Sequence, residues 1–467
     1  MSTLDPHLPE VDAVRIENGR VVSLGERALA GSACRQIRLS PGELALPAFA
    51  DAHLHLRSAA AARCSVDCSE ESSVAGVLAA IAARAETVPG EAWIRASGYD
   101  EALLEERRHP TRSELDSAAA GRPVVLHHAT GHAAVLSTRA LRAIGAEDAG
   151  EGLLVDRHDL LERVPRLDQG RLRRGLAEVV RELRASGVVS VTDATHLNDE
   201  RALRALDDWL ESLGAEIEVG AMIGWDRIGS LRFGDSVGRV RVGEAKIMPL
   251  TNGLCAARDG AGVELGEAVA AARAAGFPVA IHVVEIEVLE QALGVLRHKP
   301  PPAGTRDRIE HCSLALPEQL DRLSELPVEV AMQPSFLSYR GAKYREQLRE
   351  LERSWLCPVS SLLERGVHVR FSSDAPVVPP RPLEWVRAAT RRDLAPEEAV
   401  GFDAALRCSC PGPLEVGGDA RLAVLDVRSE PVRVASLLDG PALAAEAGRG
   451  PVVASAAAEG EACRSVR

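Results

Sequence analysis

The sequence predicts an α/β chain: a (β/α)8, or TIM, barrel with a large insertion after its first strand, plus a small β-domain formed from both chain ends. Three observations predict it. The segments "LRASGVVSVTDA" (183–194), "ARAAGFPVAIHV" (272–283) and "LLERGVHVRFSSDA" (362–375) share one design: a helical tail, a glycine, then a β-rich apolar run that closes on a polar residue. Glycine suits the left-handed position that ends a helix, and near-continuous apolar runs suit strands buried on both faces of a parallel sheet. Eight such runs occur, most of them separated by helical segments, and eight parallel strands with right-handed crossovers close most naturally into a barrel. The length of 467 residues exceeds one small domain and fits a barrel with a satellite.

In chain order, "AVRIENGRVVSLG" (13–25) reads as a hairpin with Asn18-Gly19 at its turn. The first barrel strand is expected near 46–54. Residues 57–185 are too many for a simple crossover and carry their own helix (72–86) and a strand-like "RPVVLHHA" (122–129), so they form an inserted subdomain over the C-terminal mouth. The other strands are expected near 188–193, 217–223, 242–248, 278–283, 306–311, 328–333 and 367–373, with helices such as 264–275 and 316–325 between them. "ARLAVLDVRS" (420–429) is a further short strand, expected to pair with the N-terminal hairpin. The domain bounds are then 1–45 with 415–467 for the β-domain and 46–414 for the barrel. The tail from 444 onward is rich in small residues and is expected to be partly loose. A doubly wound open sheet is the alternative fold. It ranks behind because no glycine-rich phosphate loop follows the first strand.

Hydrophobic residues make up 46% of the chain and aromatics only 3%, so the core is built mainly from Ala, Val and Leu. The net charge of -13 argues against a general nucleic-acid or anionic-membrane surface and for a small-molecule partner. The N-terminus has no basic-then-apolar signal, and no run of about 18 apolar residues follows, which points to the cytoplasm. Nine cysteines, odd in number and without paired C-x-x-C spacing, read as reduced thiols. All but three of the 55 basic residues are arginine, so Lys246, Lys299 and Lys343 are conspicuous. Homo-oligomerisation is left open by the sequence.

The apolar run "LPAFADAHLHL" (46–56) ends in His53 and His55. Residues two apart on a strand share a face, so both imidazoles can aim at one point and grip a metal. The pair alone fits an accidental, solvated or core-satisfied placement equally well. It is joined by other polar residues at expected strand ends: Lys246 in "EAKIMPLTNG", His282 in "VAIHVVE", His311 in "RIEHCS" and Asp374 in "FSSDAPV". All would face one barrel mouth, and imidazoles with carboxylates are the usual ligands of zinc and similar ions.

These motifs resemble the amidohydrolase superfamily, in the branch often described as YtcJ-like amidohydrolases, over nearly the whole chain. "RIEHCS" followed by "MQPSF" and "SSDAPVVPP" carries most of the resemblance, with "WIRASGYDEALLEERRHPTRSELD" (93–116) and "TGHAAVLSTRAL" (130–141) in the insertion. The resemblance implies that His53 and His55 bind one metal and His282 and His311 a second. Asp374 would touch the first metal and act as the base for the attacking water. Lys246 matches the position of a lysine that carbon dioxide converts to a carbamate bridging both ions. The implied cofactors are two divalent metals, with zinc expected, and the implied reaction is hydrolysis of an amide-like carbon–nitrogen bond. Two departures bear on substrate contacts. "MPLTNG" follows Lys246 where many relatives have Asp-Gly, and "HVVEIEVLEQA" replaces the more usual His-x-x-Gly-Asp run.

The second departure supports a rival. His282 and Glu285 form H-x-x-E, which resembles mononuclear deaminases of the same superfamily. There Glu285 would shuttle a proton, His53, His55, His282 and Asp374 would hold one metal, and Lys246 would be structural. The plainer reading of Glu285 is a carboxylate favoured at a helix start. In "HHATGH" (127–132), His132 matches the family motif and is a candidate substrate contact, whereas His127 and His128 have no match and alternate across a strand. A third reading, a non-catalytic barrel acting as an interaction protein, has the complete six-residue set against it.

Overall fold

The computed structural model describes residues 1–30, 35–89, 92–155, 157–249, 264–429, 431–438 and 452–455. Eight parallel strands form one sheet: β1 (Phe49–Leu54), β2 (Val188–Asp193), β3 (Glu218–Gly224), β4 (Val240–Ile247), β5 (Val279–Val283), β6 (Asp307–His311), β7 (Val328–Met332) and β8 (His368–Phe371). They pair in sequence order from β1 to β8. Just beyond β8 the chain returns to β1: the Asp374 N–H donates to His53 O (2.7 Å) and the His55 N–H to Ala375 O (2.8 Å). The sheet is a nearly closed barrel.

The three glycine punctuation marks act as their positions require. Gly187, Gly276 and Gly366 have φ of 81°, 80° and 72°, just after helices Gln169–Ala185, Leu265–Ala274 and Val359–Glu364. Each turn feeds the chain into β2, β5 or β8. Barrel strand β5 is buried at every residue, as is β6, which agrees with helices covering the outside and side chains filling the lumen.

Between β1 and β2 lies a five-stranded sheet ordered Leu153–Val155, Ala133–Leu136, Val124–His128, Ile94–Tyr99, Val66–Asp67, with helix Val74–Thr87 beside it. Its hydrophobic clusters run from Cys68 to Val164 and are separate from that of the barrel. The helices that flank it, Leu56–Arg63 and Gln169–Ala185, pack into the barrel core through Leu56, Ala60, Leu172 and Leu176. Their approach is close: a Cβ on Gly175 would sit 2.1 Å from Ala60 O. Tyr99 and Trp385 are fully buried core residues.

The run 46–54 is two strands, not one. Glu43–Pro47 pairs with Leu422–Asp426 in a three-stranded sheet with Arg433–Leu438, and β1 starts after Ala48. The hairpin Ala13–Glu17/Arg20–Leu24 turns on Asn18 and Gly19, both at positive φ. It does not pair with 422–426 as a ladder; it joins Val452–Ser455 and Arg35–Arg38 in a separate sheet. An Arg20–Asp419 bridge and shared packing of Val14, Val21, Ala420 and Leu422 connect the two sheets. The C-terminal tail thus contributes a strand at 452–455, and 456–467 lie outside the described residues. Among the described residues no helix is long and apolar enough to cross a membrane, and the six cysteines are free thiols.

Candidate metal centre

The C-terminal ends of β1, β4, β5, β6 and β8 bring His53, His55, Lys246, His282, His311 and Asp374 to one mouth of the barrel. Alternation along β1 puts His53 and His55 on one side, with ring centroids 5.3 Å apart. The rings of His53 and His311 are 4.8 Å apart and those of His282 and His311 4.5 Å. Asp374 Oδ1 lies 3.4 Å from His53 Nε2 and 3.2 Å from His55 Nε2. Ligand atoms on a zinc-sized ion stand roughly 3 to 3.5 Å apart, given bonds of about 2.0–2.2 Å. The spacing of this trio fits such an ion, and its ligand atoms all lie within 4.8 Å of one another.

Three of the four imidazoles, those of His53, His55 and His311, are oriented through their other nitrogen. His53 Nδ1 contacts the Glu310 carboxylate, which Arg308 holds from behind through Nε (2.9 Å), while Arg308 Nη2 donates to Ala52 O (2.8 Å). His55 Nδ1 is 3.1 Å from Thr195 Oγ1. His311 Nδ1 meets Gln333 Oε1 (2.9 Å), whose amide nitrogen donates to Ser372 Oγ (2.9 Å). Such partners fix the tautomer and leave Nε2 as the free lone pair. Glu310, Arg308, Gln333 and Thr195 were not singled out from sequence, although Arg308, Glu310 and Gln333 stand inside the quoted motifs "RIEHCS" and "MQPSF".

Electrostatics put most of the group into ligand-ready forms, while for His53 burial and Lys246 oppose the charge and the Glu310 and Asp374 carboxylates outweigh them, raising it above its ordinary value. Burial drives His282 well below its ordinary value and His311 down to about 3, so both are neutral lone-pair donors. Burial opposes ionisation of Asp374, yet His53 and His55 hold its carboxyl well below the usual range. Lys246 is 2% exposed, one of the largest fully enclosed side chains, and burial lowers its ammonium below the ordinary value. Lys246 Nζ, His282 Nε2 and Asp374 Oδ1 are buried and make no hydrogen bond among the described residues. Orphaned polar atoms at this depth are costly unless a ligand completes them. The residues present therefore fit a metal centre.

Backbone strain concentrates here. His311 (φ 73°), Cys312 (φ 46°) and Asp374 (φ 58°) adopt left-handed backbone without glycine's freedom, where β6 and β8 give way to their loops. The loop after Lys246 leaves the described residues beyond Pro249, so the "MPLTNG" departure lies largely outside them.

The insertion reaches the same mouth. The His132 ring is 6.3 Å from that of His282. Glu285 takes the N-cap position of helix Ile286–His298, with no capping hydrogen bond from its side chain. His128 belongs to another cluster: its Nε2 is 2.7 Å from Glu101 and 3.5 Å from Asp100, with Lys343 Nζ 3.5 Å from Glu101. The backbone N–H of Thr130 donates to His128 Nδ1 (3.1 Å), which places the proton of the neutral ring on Nε2. That nitrogen faces the carboxylates as a donor, so the cluster is an ionic clasp. Lys343 lies on the helix Phe336–Gln347 after β7, and the clasp ties the insertion to the barrel.

Comparison with known proteins agrees with this geometry. A model of the amidohydrolase family matches residues 41–436. The chain is 26% identical to the amidohydrolase-named YtcJ of Bacillus subtilis, with 83% of this chain and 81% of that one covered. It is 27% identical to the N-substituted formamide deformylase of Arthrobacter pascens, with 91% of each covered. Among solved structures, a metal-dependent hydrolase of Pyrococcus horikoshii superposes with a TM-score of 0.68 at 25% identity, with 88% of this chain and 93% of that one covered. The chain belongs to the amidohydrolase family, in its YtcJ-like branch.

Proposed function

We propose that the protein hydrolyses an amide-like carbon–nitrogen bond of a small molecule in the cytoplasm, at a centre of two zinc ions. His53, His55 and Asp374 would hold one ion and His282 and His311 the other, with Lys246 as a bridging carbamate. The observation that carries this reading is the enclosed Lys246 Nζ, buried among imidazoles and a carboxylate and making no hydrogen bond among the described residues. Burial favours the neutral amine, whose lone pair attacks the carbon of carbon dioxide; an N–C bond forms and one proton leaves.

When bound, divalent ions acidify water and polarise a carbonyl oxygen. The chain's own residues do the rest. Asp374, ionised and beside His53 and His55, accepts a proton from the attacking water and delivers it to the departing nitrogen. Glu310 and Gln333 keep two imidazoles from turning. His132 approaches from the insertion and contacts the substrate, with Glu285 on the β5 side of the mouth.

The Arthrobacter relative directs the assay to N-substituted formamides. In Asp374→Asn, turnover on such a panel falls about 10²–10⁴-fold or more, the range expected for a lost general base, while most of the metal stays bound. Unchanged turnover in Asp374→Asn would remove Asp374 from the reaction.

A further inference from the structure

A second concavity lies on the flank of the barrel, where the insertion begins. Its volume is about 290 Å³, and four of its nine lining residues are arginines: Arg63, Arg84, Arg171 and Arg174. Three elements supply them: the end of helix Leu56–Arg63, the insertion helix Val74–Thr87 and helix Gln169–Ala185. Glu178 is the one carboxylate in the lining.

Two of the arginines are committed elsewhere. Arg63 Nε donates to Glu182 (2.9 Å), and Arg171 Nη2 donates to the Cys64 carbonyl (3.1 Å) at the edge of the cavity. Arg84 and Arg174 form no side-chain hydrogen bond or ion pair among the described residues. Arg108, Arg204, Arg322 and Arg345, by contrast, are each taken up by a carboxylate. The positive charge at the cavity is felt by Arg95. Arg95 is lowered first by its burial and then by the charge of Arg171.

We infer that this cavity binds a polyanionic small molecule of the diphosphate class, independently of the metal centre. Guanidinium groups present planar pairs of donors that match phosphate oxygens, and several of them around one concavity concentrate an anion that single surface arginines do not hold. The volume equals roughly ten waters, room for a diphosphate. Arg84 comes from the insertion and Arg174 from a barrel helix, so an anion between them would bridge the two parts.

The test is isothermal titration of inorganic pyrophosphate into the full chain stripped of metal, which removes direct coordination at the barrel mouth. Binding is expected that weakens at least tenfold in Arg84→Ala/Arg174→Ala and with added salt. The charge-matched control Arg204→Ala/Arg345→Ala keeps wild-type affinity. No binding to the metal-free chain, equal affinity in the Arg84/Arg174 variant, or equal weakening in the control would each overturn the inference. Hydrolysis by the metal-loaded chain in the absence of pyrophosphate should be unchanged in Arg84→Ala/Arg174→Ala, so the outcome is separable from the catalytic reading.

Discussion

The Glu310 carboxylate on β6 touches His53 Nδ1 on β1, across the lumen of the barrel, while His53 Nε2 points toward Asp374 at 3.4 Å. Burial alone would neutralise Glu310. Arg308 and His53 instead hold it well below the ordinary carboxylate range. The carboxylate therefore orients the His53 ring, whose Nε2 would face the proposed ion.

Replacing it tests that role. In Glu310→Gln the amide can still accept from Nδ1–H but carries no charge, so metal affinity should fall about 10–100-fold while the fold persists. Glu310→Ala should fall further, and it also leaves Arg308 buried without its nearest carboxylate. Competition with a chelating dye reads the affinity directly, without a substrate. Equal affinity in wild type and Glu310→Gln would assign Glu310 a packing role only.

The clasp of His128 with Asp100, Glu101 and Lys343 predicts a pH window. The His128 imidazole, foremost, holds Glu101 at about 2 instead of 4.5, against the cost of burial. Burial opposes the charge on His128, yet Asp100 and Glu101 raise it above 6.5. A depressed carboxylate stabilises above its unfolded value and loses this as pH falls through its folded one. A raised histidine stabilises below 6.5 and loses this as pH rises through its folded value. The stability difference between wild type and His128→Gln should thus peak between pH 4.5 and 6.5. It should shrink on both sides, with Tyr99, His109 and Lys343 as the other groups facing the cluster. A difference that stays flat across pH would show that the pairing carries no net stability.

Gly175→Ala tests the close crossing of the helices that flank the insertion. Alanine gains about 1 kcal/mol in a helix interior. Here its Cβ would meet Ala60 O at 2.1 Å and Ala60 C at 2.9 Å, backbone atoms that cannot rotate away. Overpacking of that kind costs about 1–3 kcal/mol, so the melting temperature should fall despite the propensity gain. A rise would mean that the helices part freely.

Much of this was legible in sequence because it is local. Gly187, Gly276 and Gly366 announce helix ends on their own, and buried strands declare themselves by unbroken apolar runs. His53, His55, Lys246, His282, His311 and Asp374 each close such a run, so the strand assignment alone gathers them at one end. What failed to show is set by register between distant strands. Glu310 meets His53 across 257 positions, and Thr195 meets His55 across 140. The division of 46–54 at Ala48 was hidden because Leu46 and Phe49 are equally apolar while they serve different sheets. Arg84 and Arg174 were hidden among many arginines until the fold set them around one cavity.

The central claim is a dinuclear centre bridged by modified Lys246. Elemental analysis of chain purified without chelators, paired with native mass measurement, tests it most directly in wild type and Lys246→Ala. The account predicts two metals per wild-type chain together with a carbon dioxide adduct, and loss of the adduct and of at least one metal in Lys246→Ala. One metal and no adduct in wild type, or full metal content and rate in Lys246→Ala, would contradict it.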